Sequence, residues 1–144
     1  MLGHTPAAVR ILCGVFSLVS WLPISAQAPQ TTLKSVVGTY GRSGAGHDSI
    51  QITQKTGGKI GVSVRLYYSN GHTCRLNRDG EWREDHVVVV ADAIDASQPC
   101  RLNVFFEKGR VFLKDEGLQC APVYCGTRGK LDGVSLPKLS SARK

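Results

Sequence analysis

The sequence predicts an all-β domain: a small antiparallel meander of about eight strands, closed into a barrel or a barrel-like sandwich and held by two disulfides. Three observations carry this expectation. After residue 30 apolar residues alternate at period two, and nowhere beyond a single turn do they recur at i, i+3, i+4 and i+7. Turn-forming pairs and triplets interrupt the alternation at short intervals, which favours antiparallel neighbours because parallel pairs need long crossovers. Cys74, Cys100, Cys120 and Cys125 all follow an export-type leader.

The leader comes first in the chain. Residues 1–26 carry one basic residue, Arg10, then an apolar run with Leu12, Val15, Phe16, Leu18, Val19, Trp21 and Leu22, then small residues. This is the pattern of a secretory signal peptide. Cleavage is expected after Ala26, because cutting after Ala28 would place Pro29 just beyond the scissile bond. The run falls short of the roughly 20 apolar residues of a membrane span, so no transmembrane anchor is expected. Without Arg10 the chain keeps 17 basic and 11 acidic residues, a net +6. Residues 27–34 read as a linker, 35–137 as the folded domain and 138–144 as a basic, fraying tail.

Strands are expected over 35–41, 48–54, 59–68, 72–77, 85–91, 100–107, 109–115 and 130–136. The punctuation between them is Gly44-Ala45-Gly46, Gly57-Gly58, Asn70-Gly71, Asp79-Gly80, Ser97-Gln98-Pro99 and Lys108-Gly109. Two hairpins can be set in register. A three-residue loop Ser69-Asn70-Gly71 pairs Leu66 with Cys74 and Val64 with Leu76, whereas a two-residue loop would put their apolar sets on opposite faces. A two-residue loop Lys108-Gly109 pairs Phe106 with Val111, Val104 with Leu113 and Glu107 with Arg110, and leaves Phe105 beside Phe112 on the reverse face.

An even number of cysteines in an exported domain reads as disulfides rather than as a metal site, whose C-x2-C or Cys/His spacing is missing. Three pairings are possible. Strand parity turns both Cys74 and Cys100 inward, compatible with a Cys74–Cys100 bond and a small loop closed by Cys120 and Cys125, the other pairings staying open.

Catalytic chemistry finds little support in the residue pattern. Ser43, His47 and Asp48 share one short Gly-rich loop, too close for nucleophile, base and orienting group to take separate places, and no strand-to-helix elbow follows. Glu81, Glu84, Asp85, Asp92 and Asp95 lie in polar stretches where a solvated carboxylate is the default. No cofactor, no metal and no enzymatic activity are expected. Nucleic acid is not an expected partner, since the basic residues are scattered rather than interleaved with aromatics. The net charge favours a protein or an anionic envelope component. Candidate binding residues are Arg42, Ser43 and His47 in the Gly-rich loop, Trp82 beside Arg83, and Phe105 with Phe112. Two of these carry competing readings: Trp82 as a plug in the barrel end, and the phenylalanine pair as a minor core under a terminal segment.

Asn70-Gly71-His72-Thr73-Cys74, Cys100-Arg101-Leu102, Tyr124-Cys125-Gly126-Thr127-Arg128-Gly129 and Leu131-Asp132-Gly133 resemble a family of small exported bacterial β-domains, some of them associated with periplasmic lysozyme inhibitors. The resemblance covers about residues 36–136 and rests on the cysteine framework. It implies a compact β-barrel, and for the inhibitors a loop with Ser, Gly and Tyr that enters the lysozyme cleft. Here Ser43-Gly44-Ala45-Gly46-His47 supplies the Ser-Gly start without the tyrosine. A partner at +6 is also repelled by a basic lysozyme. The expectation is therefore an exported, non-catalytic binding protein of the envelope, periplasmic or secreted. Inhibition of lysozyme or another wall hydrolase is the alternative, and a small envelope hydrolase the second.

Overall fold

The structure, a computed structural model, describes residues 31–42, 47–69, 71–92, 97–126 and 128–140. The expected signal peptide, Ser43 and residues 141–144 of the tail lie outside them. The fold is all-β. A helical turn α1 (Leu33–Val36) precedes β1 (Gly38–Gly41), β2 (Ser49–Gln54), β3 (Ile60–Tyr67), β4 (Thr73–Arg83), β5 (His86–Ala91), β6 (Cys100–Glu107) and β7 (Arg110–Glu116). A short helix α2 (Cys120–Tyr124) and β8 (Ser135–Pro137) complete the chain. The strands form one antiparallel sheet in chain order.

Both expected hairpin registers are present, with Leu66 opposite Cys74, Val64 opposite Leu76, Phe106 opposite Val111 and Phe105 opposite Phe112. The alternation explains the interior. Ile50, Val64 and Leu76 make one inward row and Val87, Val104 and Leu113 another, all of them buried. The sheet nearly closes on itself where Tyr40 bridges Lys138 and Leu139 N donates to Thr39 O at 2.8 Å. Lys138 Nζ also donates to Ser35 O at 2.6 Å, so the start of the expected tail is a closing element. The expected linker and first strand differ too: residues 33–36 form α1, which buries Val36, and β1 starts at Gly38.

Tyr40 connects these ends. Its ring is 2% exposed and its hydroxyl donates to Val36 O at 2.7 Å. Burial pushes the phenol up to about 12. A raised folded-state value means that its stabilisation is whole below the unfolded value of 10.0 and is lost as pH rises through about 12. In Tyr40→Phe the alkaline unfolding transition, followed by circular dichroism, moves to higher pH, while at neutral pH loss of the hydroxyl costs about 1 kcal/mol. An unchanged alkaline transition contradicts this role.

Asp79-Gly80, expected to be a turn, lies inside β4 instead. Gly80 serves close approach: a Cβ there would sit 2.7 Å from Val87 Cγ1 and 2.8 Å from Val88 O. The chain reverses later, at Glu84-Asp85, with Arg83 opposite His86. β4 also changes partners at Gly80. It pairs with β3 over Thr73–Gly80 but with β5 only over Gly80–Arg83, so a seam opens between the first half of β4 and the β5–β6 end.

The connection between β7 and β8 fills that seam. Its helix α2 packs on β4, β6 and β7. Cys125 bonds Cys74 at the start of β4, and Cys120 bonds Cys100 at the start of β6. Of the three possible pairings, the Cys74–Cys100 and Cys120–Cys125 set with which strand parity is compatible is therefore not the one formed. Parity rightly turned Cys74 and Cys100 inward, but each bonds a cysteine of the β7–β8 connection, Cys120 at the first residue of α2 and Cys125 just after its last. Gly129 allows this packing, since a Cβ there would fall 2.5 Å from Cys125 Cβ and 3.1 Å from Cys74 Sγ. Arg78 crosses the same seam, 3.1 Å from Asp92 Oδ2 with its guanidinium 5.7 Å from the centre of the Tyr124 ring. An exposed β4 edge would invite pairing with another chain, and α2 covers it.

Candidate functional site

The barrel has two ends, and the candidate residues divide between them. At one end Trp82 stacks on Phe106 at 6.1 Å, and Phe106 meets Tyr40 at 5.8 Å. Trp82 lies in β4 rather than in a turn, and its half-buried ring packs against the core. Its inward parity makes it a plug. Arg83, one residue on, points outward and is exposed, 2.7 Å from Glu81 Oε2.

Around Arg83 the outer face of β4–β7 assembles by register. Arg83 is opposite His86, His86 opposite Phe105, and Phe105 opposite Phe112. The His86 and Phe105 rings stack at 4.7 Å, and His86 Nδ1 lies 3.0 Å from Asp85 Oδ1. Phe105 and Phe112 are half-buried in this ladder. Further along the same face stand Val88 and Val90, the latter 53% exposed. Arg83, His86, Val88 and Val90, with Lys59, Glu81 and Arg101, border a concavity of about 620 Å³, and Phe105 and Phe112 are not part of its lining. Its lining sets two valines among charges of both signs. Of this face the sequence pattern singled out Arg83, Phe105 and Phe112 as candidates but not His86, Val88 and Val90. The alternation of 86, 88 and 90 was the available signal, because their parity opposite the buried Val87 and Val89 places them outside.

At the opposite end lie Arg42, His47 and the cystine-stapled connection. Arg42, Asp48, Tyr68 and Lys130 border a smaller cavity of about 290 Å³. Asp48 Oδ1 accepts from Tyr67 N at 2.9 Å, and Tyr68 Oη donates to Lys130 O. The Tyr68 phenol is raised above its ordinary value, first by burial and further by the Asp48 charge, against the lowering effect of its bond to Lys130. Buried His47 Nε2 and Tyr124 Oη have no hydrogen-bond partner among the described residues. The structure thus keeps Arg42 and His47 at one end and Arg83, Phe105 and Phe112 at the other, so the candidates form no single site.

Among the described residues no group of three or more His, Cys, Asp and Glu side chains converges as metal ligands. No helix among them is long and apolar enough to cross a membrane. Compared with protein-family models, curated proteins and solved structures, the chain matches none.

Proposed function

We propose that this chain is an exported, non-catalytic binding protein of the bacterial envelope that receives a protein partner on the outer face of β4–β7. The observation that carries the reading is the ladder Arg83, His86, Phe105 and Phe112 continued by Val88 and Val90, an apolar strip at the surface with charged borders. Aromatic and arginine side chains concentrated at the centre of such a strip are the composition of interface hot spots. Two buried disulfides support an oxidising location, periplasmic or extracellular.

The second reading, inhibition of a wall hydrolase through the 42–48 loop, is favoured by one observation. Tyr68 borders the same cavity as Arg42 and Asp48, so the tyrosine that the loop lacks in sequence is supplied beside it from the end of β3.

One experiment separates the two. The mature protein, immobilised, is exposed to envelope extract and, separately, to c-type lysozyme. The outer-face reading expects a stoichiometric partner from extract that is lost with Val90→Asp or Phe112→Ser and kept with Ser43→Arg. The inhibitor reading expects a lysozyme complex with the opposite dependence. Partner retention by both outer-face variants contradicts the first reading.

A further inference from the structure

The register that buries Leu66 against Cys74 has a consequence on the other side of the sheet, away from the β4–β7 strip. It sets Arg65 of β3 directly opposite Arg75 of β4, both outward and exposed. Like charges facing each other across an antiparallel pair repel and weaken the hairpin. Four other cations of the barrel strands and their connections are paired with acids: Lys55 with Asp79, Arg78 with Asp92, Arg83 with Glu81 and Arg101 with Glu116. Among the described residues neither Arg65 nor Arg75 is in an ion pair.

Two acids of the same strands and their flanks have other partners. Asp48 accepts from Tyr67 N, and Asp79 is held by Lys55, which keeps its carboxyl below the usual value. The neighbouring outward positions bring neutral hydrogen-bonding groups. Ser49 pairs with Arg65, and Ser63 pairs with Asn77 one step along the same face. A depression of about 230 Å³ lies between Ser63, Arg65, Arg75 and Asn77.

We propose that this depression is an anion site for a phosphate group. Two guanidinium forks can each donate two parallel hydrogen bonds to phosphate oxygens. The Ser63 hydroxyl and the Asn77 amide add donors beside them. The bound dianion replaces the repulsion between the arginines by attraction to both. The shallow, open setting admits the phosphate whether it is free or carried on a lipid headgroup. The site is separate from the proposed protein-binding strip and stands or falls independently of it.

The test has a thermal and a binding arm, both on the mature protein. Without phosphate at low ionic strength, Arg75→Thr melts about 1–5 °C higher than the wild type, because the repulsion is gone. Inorganic phosphate then raises the melting temperature of the wild type, but not of Arg75→Thr, beyond what chloride does at equal ionic strength. Phosphate affinity measured by calorimetry falls about tenfold or more in Arg65→Ala. Binding to phosphatidylcholine vesicles doped with phosphatidic acid, lost in Arg65→Ala, assigns the phosphate to a headgroup. Binding of inorganic phosphate alone assigns it to a soluble source. Equal effects of phosphate and chloride on the wild type, with no vesicle binding, overturn the proposal, as does an unchanged affinity in Arg65→Ala.

Discussion

Replacing Cys74 and Cys125 together by alanine lowers the unfolding free energy by about 4 kcal/mol, and replacing Cys100 and Cys120 together lowers it by about 3 kcal/mol. The order follows from loop length. The first bond joins residues 51 apart and the second residues 20 apart, and the longer loop gains more freedom in the unfolded chain when it is released. The same substitutions free α2 from one side of the seam. Losing Cys74–Cys125 detaches it from β4, so hydrogen exchange accelerates over Thr73–Asp79, whereas losing Cys100–Cys120 loosens the start of β6. Equilibrium denaturation of the two double variants, with exchange mapped by mass spectrometry, checks both the ranking and the location. Equal losses with no local acceleration in either variant contradict the stapled seam.

Asp115→Ala costs about 3 kcal/mol, although the residue is at a β-strand end and touches neither candidate site. Asp115 is the one buried charged side chain among the described residues. Its Oδ1 accepts from Cys120 N at 3.0 Å and its Oδ2 from Ala121 N at 2.9 Å, so it caps the first turn of α2 with both oxygens. Its own amide donates to Asp132 Oδ1 at 3.1 Å, which ties the loop before β8 to the same point. Removing the carboxylate leaves two amides near the core without acceptors, each costing about 1–3 kcal/mol. Asp115→Asn keeps one acceptor oxygen and loses about half as much. Urea denaturation of the two variants measures the difference. A loss below about 1 kcal/mol for the alanine variant would show that α2 is held by its disulfides alone.

Much of this architecture is legible from the pattern of residues. Val62, Val64 and Leu66 set against Cys74 and Leu76 admit one loop length, and that choice determines the register of β3 with β4. The Arg65–Arg75 opposition follows from the same register, since a strand's two faces shift together. Glu107 and Arg110 flanking Lys108-Gly109 specify the second hairpin equally well. What the pattern hides depends on three-dimensional divergence. Gly80 looks like a turn residue, and only the packing of Val87 and Val89 shows that it accommodates close approach within a strand. The disulfide pairing depends on where β4 leaves β5, which no local spacing encodes. Tyr68 beside Arg42 and Asp48 is likewise a meeting of two loops at one barrel end, invisible in a linear reading.

The seam closed by α2 keeps the barrel walls, and hence both outer faces, in fixed positions. Its most direct test is peptide mapping of the purified, unreduced protein after thiol blocking. Two crosslinked species are expected, one joining the Cys74 and Cys125 peptides and the other the Cys100 and Cys120 peptides, with no blocked thiol at these positions. A crosslink between Cys74 and Cys100, or blocked thiols at Cys120 and Cys125, would contradict it.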